Sequence, residues 1–229
     1  MQLIPSRFTQ FLSVALCLVV PSVIACASSA PQVDLSMQAA ETLLLQEPTL
    51  SLDHIVFRHA DDLWIVSRAG GEARRLTSSQ GRESSPQLSP DGKLVAFSAQ
   101  YEGNTDVYVM PIEGGVPRRM TWHPSYDVVQ DWTADGQGIL FRSSRFSGNA
   151  TSQAYRVDLA GGTPTALPLP KVHHMALNEV GTHFAYTPIA DAFGTWKRYR
   201  GGRLAKVWIF DRKTNEVEEL PYGMSNDTF

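Results

Sequence analysis

The chain has 229 residues, a formal net charge of −3 and a sequence pI of about 6.1. This moderate and mixed charge lacks the basic face that nucleic-acid binding requires, so no nucleic-acid partner is expected. With 43% hydrophobic and 10% aromatic residues, the composition excludes an intrinsically disordered chain.

Residues 1–26 are predicted to be an export signal. Arg7 precedes an apolar run that ends in small residues. Val23–Cys26 resembles a bacterial lipobox, in which Cys26 would be lipidated and become the mature N-terminus. Ala25–Ala27 also fits an ordinary cleavage site, and an uncleaved membrane anchor is a further alternative that a proline weakens. The protein is therefore expected in the periplasm or as a membrane-anchored lipoprotein, with no other membrane contact.

The two cysteines, Cys17 and Cys26, both lie in this leader. The mature domain therefore has neither a disulfide nor a thiol nucleophile. Residues 27–50 are predicted to be a short linker with one helical turn.

The remaining residues, 51–229, repeat with a period of about 44 residues. Ser89–Ala99 (SPDGKLVAFSA) has a second copy at Thr133–Ser143 (TADGQGILFRS) and a third, without the aspartate, at Asn178–Pro188 (NEVGTHFAYTP). In each copy an aromatic residue follows the turn glycine at a fixed spacing, which is typical of a tight turn that leads into a strand. The strand occurs once more, without its turn, at His54–Ala60.

A second repeated element follows each copy of the first. It contains an apolar strand with an aromatic residue and, six residues after that residue, a glycine pair. Its copies are Asp61–Thr77, Thr105–Thr121, Ser152–Pro168 and, with Lys-Thr-Asn in place of the glycines, Ala205–Pro221. Four short strands in a unit of this length indicate one blade of a β-propeller.

About four such units fit between residues 51 and 229, and the run stops inside a unit. Because propellers close so that no sheet edge stays open, we expect an all-β fold that is the front part of a propeller. Six blades are the expected number and seven an alternative, with the rest following Phe229. A four-bladed ring and a generic β-sandwich are further alternatives.

The Ser-Pro-Asp-Gly-Lys unit resembles repeats of the Tol-system periplasmic propeller protein and of prolyl-oligopeptidase-type and tricorn-type serine peptidases. A long insertion in the fourth unit is more specific. Thr195–Gly202 (TWKRYRGG), before a VWIFD strand, resembles the N-terminal propeller of tricorn-type peptidases, as do FRHADDLWIV and the final SNDTF. The resemblance implies a modular serine peptidase whose first, six-bladed propeller filters or channels unfolded peptides towards a later catalytic region.

No catalytic, cofactor or metal site is expected within this chain. It contains no G-x-S-x-G motif, and no spacing singles out a Ser-His-Asp set. Adjacent strand residues point to opposite faces, so His173 and His174 are not expected to hold one metal ion. Asp127, Asp131 and Asp135 have a calcium-loop spacing but lack the downstream bidentate glutamate.

The insertion of the fourth unit is a candidate docking loop. Its arginines and aromatic side chains suit a peptide carboxylate or another domain, and the alternative is a solvated hairpin tip. The candidate docking residues are Trp196, Lys197, Arg198, Tyr199, Arg200 and Arg203.

The predicted function is that of a non-catalytic propeller segment in an exported tricorn-like serine peptidase. The expected partners are downstream domains of the same polypeptide, peptides or unfolded protein segments, and further copies of the chain. A stand-alone periplasmic scaffold of the Tol type is the alternative. The short distance from Cys26 to the first strand counts against it, because the Tol protein carries an α/β domain before its propeller. A prolyl-oligopeptidase-like enzyme is a third hypothesis.

Overall fold

A computed structural model of the protein describes residues 44–146, 151–190 and 204–221, which belong to one compact unit of the chain. These residues form sixteen strands and no helix, arranged as four antiparallel sheets of four strands each. The predicted all-β fold with four propeller repeats is confirmed. None of the described residues forms a helix with the length and hydropathy needed to cross a membrane.

Each sheet is one blade and consists of four strands that follow one another along the chain. Blade 1 contains β1 (Gln46–Leu50), β2 (His54–His59), β3 (Asp62–Ser67) and β4 (Arg74–Arg75). Blade 2 contains β5 (Glu83–Leu88), β6 (Leu94–Ala99), β7 (Asp106–Pro111) and β8 (Arg118–Arg119). Blade 3 contains β9 (Asp127–Trp132), β10 (Gly138–Ser143), β11 (Gln153–Asp158) and β12 (Thr165–Ala166). Blade 4 contains β13 (His174–Leu177), β14 (His183–Thr187), β15 (Trp208–Asp211) and β16 (Val217–Glu219).

The Asp-Gly turns of the repeat join the first two strands of a blade. In blade 2, Asp91 Oδ1 accepts hydrogen bonds from Ser89 Oγ at 2.7 Å and from the Lys93 backbone at 3.1 Å. Gly92 has a φ of +68°, a conformation that glycine adopts without strain. Blade 4 lacks the aspartate, and there Asn178 Oδ1 accepts from the backbone at Thr182 and His183 instead. The turn is therefore conserved in geometry where its sequence differs.

Side chains alternate along the central strands, so the two faces of a blade each pack against a different neighbouring blade. On β6, Val95 and Phe97 pack into the apolar cluster shared with blade 1, whereas Ala96 packs into the cluster shared with blade 3. A third cluster joins blades 3 and 4, with Leu140 and Phe184 among its buried members. The core therefore lies between blades, so that each blade depends on its neighbour for stability.

The propeller begins earlier than predicted, because β1 lies inside the segment 27–50 that was predicted to be a linker. The strand has a polar sequence with a proline, and Leu50 on it is 60% exposed. It therefore carries no hydrophobic alternation. Tertiary contacts hold it instead: β1 pairs with β2, and buried Thr49 Oγ1 accepts a hydrogen bond from Leu88 of blade 2.

Polar side chains on the first strand of one blade bind the backbone of the first strand of the next. Glu47 Oε2 accepts from the Ser85 N–H at 2.6 Å, and Asp131 Oδ2 accepts from the Leu177 N–H at 2.7 Å. The first strand of a blade is a sheet edge, so part of its backbone lacks a ladder partner. These contacts satisfy that edge and fix the spacing between blades.

Asp131→Ala is expected to lower the free energy of unfolding by about 1–3 kcal/mol, because the substitution leaves the Leu177 N–H without its acceptor. Urea unfolding of the full chain measures the change. Asp91→Ala is a matched control at an exposed turn, where water replaces the lost acceptor, and a smaller change is expected. An equal loss in both variants would show that the contact between blades contributes nothing beyond a turn.

Candidate functional site

The first strands of the four blades, β1, β5, β9 and β13, line one groove, which we call the inner groove. Its larger cavity has a volume of about 520 Å³ and is lined by residues of all four strands, among them Glu47, Gln87, Gln130 and Ala176. A second cavity of about 410 Å³ lies where these strands meet the Asp-Gly turns. The groove is thus a composite feature to which every described blade contributes.

A ligand in the inner groove would contact mainly side chains, because much of the backbone there is already hydrogen-bonded. Several N–H groups of its strands already bind side chains of the preceding blade: Met175 donates to Gln130 Oε1 at 3.1 Å and Val129 donates to Ser98 Oγ at 2.8 Å. The wall also contains the apolar surfaces of Pro86 and Val128. A ligand would therefore meet mixed polar and apolar side chains, the usual composition of a binding cleft.

Arg142, near the end of β10, adds a positive charge to the wall of the larger cavity. Its Nη1 donates to Ser152 Oγ at 3.3 Å, and burial lowers the pKa of its guanidinium. Sequence analysis missed this residue. The signal was present, because Arg142 occupies the position of the small Ser98 in the preceding repeat and directly follows an apolar run.

The prediction that the adjacent histidines point to opposite faces is wrong. The His173 and His174 rings lie edge to face with centroids 4.4 Å apart. His173 precedes β13 and therefore does not follow strand alternation. His174 lies on the strand and lines the inner groove. Among the described residues, no three His, Cys, Asp or Glu side chains converge for a metal ion.

The stability of the protein is expected to fall between about pH 6.5 and pH 4 through His173. Burial lowers the pKa of His173 to about 4, and nearby His174 and Arg142 act in the same direction. As the pH falls, the unfolded chain takes up a proton on His173 near the ordinary pKa of 6.5, whereas the folded state takes it up only near pH 4. Protonation between these values therefore stabilises the unfolded state. Urea unfolding at pH 7 and pH 5 should show a larger loss for the wild type than for His173→Gln. An identical pH dependence would contradict the assignment.

The three aspartates with calcium-loop spacing have separate structural contacts. Asp127 Oδ2 pairs with Arg145 at 2.7 Å, and Asp131 binds the backbone of blade 4. Asp135 accepts from Thr133 Oγ1 at 2.5 Å in the turn of blade 3. Asp127 and Asp131 lie on β9 and Asp135 lies in the turn that follows it, so the spacing reflects their structural positions in the blade.

The other residues singled out from the sequence, Cys26 and the docking loop from Trp196 to Arg203, lie outside the described residues. The part of the chain that the structure describes therefore contributes one candidate site, the inner groove with Arg142 and His174 on its wall.

Comparisons with known proteins place the chain in a family. Residues 42–229 match the Tricorn protease N-terminal beta propeller domain. The chain is 31% identical over 191 residues to Tricorn protease homolog 1 of Streptomyces coelicolor, covering 83% of this chain and 18% of that protein. It is 24% identical over 173 residues to the Putative Tricorn-like protease N-terminal subunit of Sulfurisphaera tokodaii, covering 73% of this chain and 87% of that protein.

Two solved structures show the same fold. The tricorn protease structure matches with a TM-score of 0.68 at 22% identity, over 80% of this chain and 19% of that one. TolB from Acinetobacter baumannii matches with a TM-score of 0.59 at 24% identity, over 78% of this chain and 43% of that one. The chain thus spans about a fifth of the tricorn protease chain. Because the family match covers most of the sequence, the protein belongs to the tricorn protease N-terminal β-propeller family.

Proposed function

We propose that this chain is the non-catalytic propeller of an exported tricorn-like serine peptidase, and that its inner groove holds peptides on their way to a catalytic region elsewhere. One observation carries the proposal: a chain of the tricorn propeller family has a groove to which all four described blades contribute a strand. Function resides in sites and not in folds, so the groove is the part to test.

The groove suits a peptide in size and in composition. Its larger cavity, about 520 Å³, is within the range of small-ligand clefts, and its wall combines amide, proline and aliphatic side chains with a few charged or imidazole groups. Such a surface offers hydrogen bonds to a peptide backbone and contact area to its side chains without selecting one sequence. A filter for unfolded peptides needs this tolerance.

Binding of an unstructured, fluorescently labelled peptide to the full chain tests the groove. Ala176→Trp places a large side chain at an exposed position of β13 in the groove and should weaken binding about tenfold, since it removes the space for the ligand. Ala166→Trp makes the same exchange on exposed β12 at the outer edge of blade 3 and should leave binding unchanged. Equal effects of both substitutions, or no binding by the wild type, would contradict the proposal.

Export is part of the proposal and has its own test. We expect the protein in the envelope fraction of its source cells, attached through a lipid on Cys26. Cys26→Ser should release it into the soluble envelope fraction, because a thioether-linked lipid needs the cysteine. A cytoplasmic wild-type protein would contradict export, and unchanged membrane attachment of Cys26→Ser would contradict lipidation.

The mass of the native protein shows whether the proposed catalytic region lies on the same polypeptide or on a separate subunit. A polypeptide several times larger than 25.3 kDa, detected with an antibody to residues 51–229, would place the catalytic region on the same chain. A band near 25.3 kDa would favour a separate subunit, the arrangement that the name of the Sulfurisphaera relative indicates for that protein. Native gels of the same fraction would show whether copies of the chain associate.

A further inference from the structure

The interface between blades 3 and 4 lacks a contact that the other two interfaces share. Arg74 of blade 1 donates from Nη2 to the Ile112 carbonyl of blade 2 at 2.8 Å. Arg118 of blade 2 donates in the same way to the Leu159 carbonyl of blade 3 at 2.6 Å. Thr165 occupies the corresponding ladder position on β12 of blade 3. Its side chain is too short for this reach, so the position supplies no arginine clamp to blade 4.

The same interface also lacks a buried carboxyl group at the start of its inner strand. Glu83, Asp127 and Val172 are equivalent, because the backbone N–H of each donates to a carbonyl of the preceding blade, at 3.0, 2.9 and 2.8 Å respectively. All three residues are buried. Asp127 neutralises the guanidinium of Arg145 at 2.7 Å. Val172 has no charge, so this position cannot neutralise a cation at the interface between blades 3 and 4.

Three basic side chains lie together at this interface instead. Arg142 of blade 3 donates to the neutral hydroxyl of Ser152, and its buried Nε has no acceptor among the described residues. The ring of His173, whose buried Nδ1 also lacks a partner there, lies edge to face with the ring of His174. The charge of Arg142 acts on both histidines. Protonation of the imidazoles therefore brings like charges together.

The carboxylates that face this cluster already have partners. Glu47 lines the cavity that Arg142 and His174 also line, and its two oxygens bind groups of blades 1 and 2. Asp131 of β9 binds the backbone of β13. Lys171, which lies on the connector before β13, adds a further positive charge. Neither carboxylate is free to neutralise the protonated imidazoles.

We propose that the propeller opens between blades 3 and 4 in mild acid, driven by protonation of His173 and His174 beside Arg142. Burial and the nearby positive charges lower the pKa of both histidines while the interface is closed, and opening restores the ordinary value of 6.5. Protons therefore bind the open form more tightly, and a fall in pH below 6.5 favours it. Burial raises the pKa of Asp131, which acts in the opposite direction. Two histidines thus oppose one carboxyl group.

Opening at this interface parts the wall of the inner groove, because β9 and β13 are two of the four strands that line it. Three backbone donors of blade 4 report on the closed form. Val172 donates to blade 3 near the start of β13, while Met175 and Leu177 donate to Gln130 and Asp131. The inference goes beyond the proposed function, because it concerns the propeller itself and requires no bound peptide.

Hydrogen exchange of the full chain at pH 7 and pH 5, corrected for the intrinsic effect of pH on exchange, tests the opening. The amides of Val172, Met175 and Leu177 should exchange about tenfold faster at pH 5. The amides of Leu88 and Val129 bridge the other two interfaces and should change by less than about twofold. Equal acceleration at all three interfaces, or none between blades 3 and 4, would overturn the proposal.

Substitutions assign the effect to the two histidines. The double substitution of His173→Gln and His174→Gln removes both titrating groups and should abolish the difference between pH 7 and pH 5 at blade 4. His183→Gln is the matched control, because its imidazole lies elsewhere in blade 4, 3.5 Å from Asp211, and this variant should keep the difference. A pH response that survives the double substitution, or that His183→Gln removes, would contradict the assignment. The comparison of the three interfaces in the wild type needs no variant to fold.

Discussion

Phe141→Ala is expected to lower the free energy of unfolding by about 3–5 kcal/mol. The Phe141 side chain is 0% exposed in the apolar cluster between blades 2 and 3, and its ring stacks on Tyr155 with centroids 5.6 Å apart. Its removal forfeits the buried area and leaves a cavity that two packed blades cannot close. Urea unfolding of the full chain measures the change.

Phe146→Ala is the matched control. Phe146 also stacks on Tyr155, at 6.3 Å, but it is 81% exposed. Its substitution should change the free energy of unfolding by less than about 1 kcal/mol, because folding buries little of the Phe146 side chain and only the aromatic contact is lost. Similar effects of Phe141→Ala and Phe146→Ala would contradict a core between blades.

Glu83→Ala is expected to lower the free energy of unfolding by about 3 kcal/mol. The Glu83 carboxyl is buried and accepts hydrogen bonds from three groups. The donors are the Leu63 N–H at 3.0 Å, the Thr77 hydroxyl and the Tyr101 hydroxyl. Leu63 lies on β3 and Thr77 follows β4 of blade 1, whereas Glu83 itself begins β5 of blade 2. The carboxyl therefore joins the two blades. Glu83→Gln keeps an acceptor oxygen and should cost less, by unfolding measured at pH 4.5.

The effect of Glu83→Gln should depend on pH in a defined direction. Burial raises the pKa of Glu83 above its ordinary value of 4.5, so the folded state holds the proton more tightly than the unfolded chain. The contribution of Glu83 to stability is therefore largest below pH 4.5 and falls as pH rises through the raised pKa. The stability of Glu83→Gln relative to the wild type should thus increase between pH 4.5 and pH 7. A stability difference that is constant with pH would contradict a raised pKa.

The blades could be predicted from the sequence because their signals are local. The turn in Ser89–Ala99 and the alternation after it fix a hairpin within eleven residues, and both recur at one period. β1 could not be predicted in this way. Its polar residues are ordered by β2 and by Leu88 of the next blade, and neither contact leaves a pattern in the strand itself.

The candidate site was less predictable than the fold. Its wall combines β1, β5, β9 and β13, which lie about one repeat apart in the chain, so the groove exists only once the blades have assembled. The position of Arg142 on the wall is still harder to predict. Arg58 occupies the same repeat position, but there Glu47 and Asp61 pair with it, and neither contact can be read from the repeat itself.

The most direct test of the account is to map where a peptide lies on the full chain. A photoreactive peptide, cross-linked to the protein and located by mass spectrometry, should attach to residues of β1, β5, β9 and β13 and to the neighbourhood of Arg142. That result would establish the inner groove as the peptide site. Cross-links confined to the outer strands β4, β8, β12 and β16 would contradict the account.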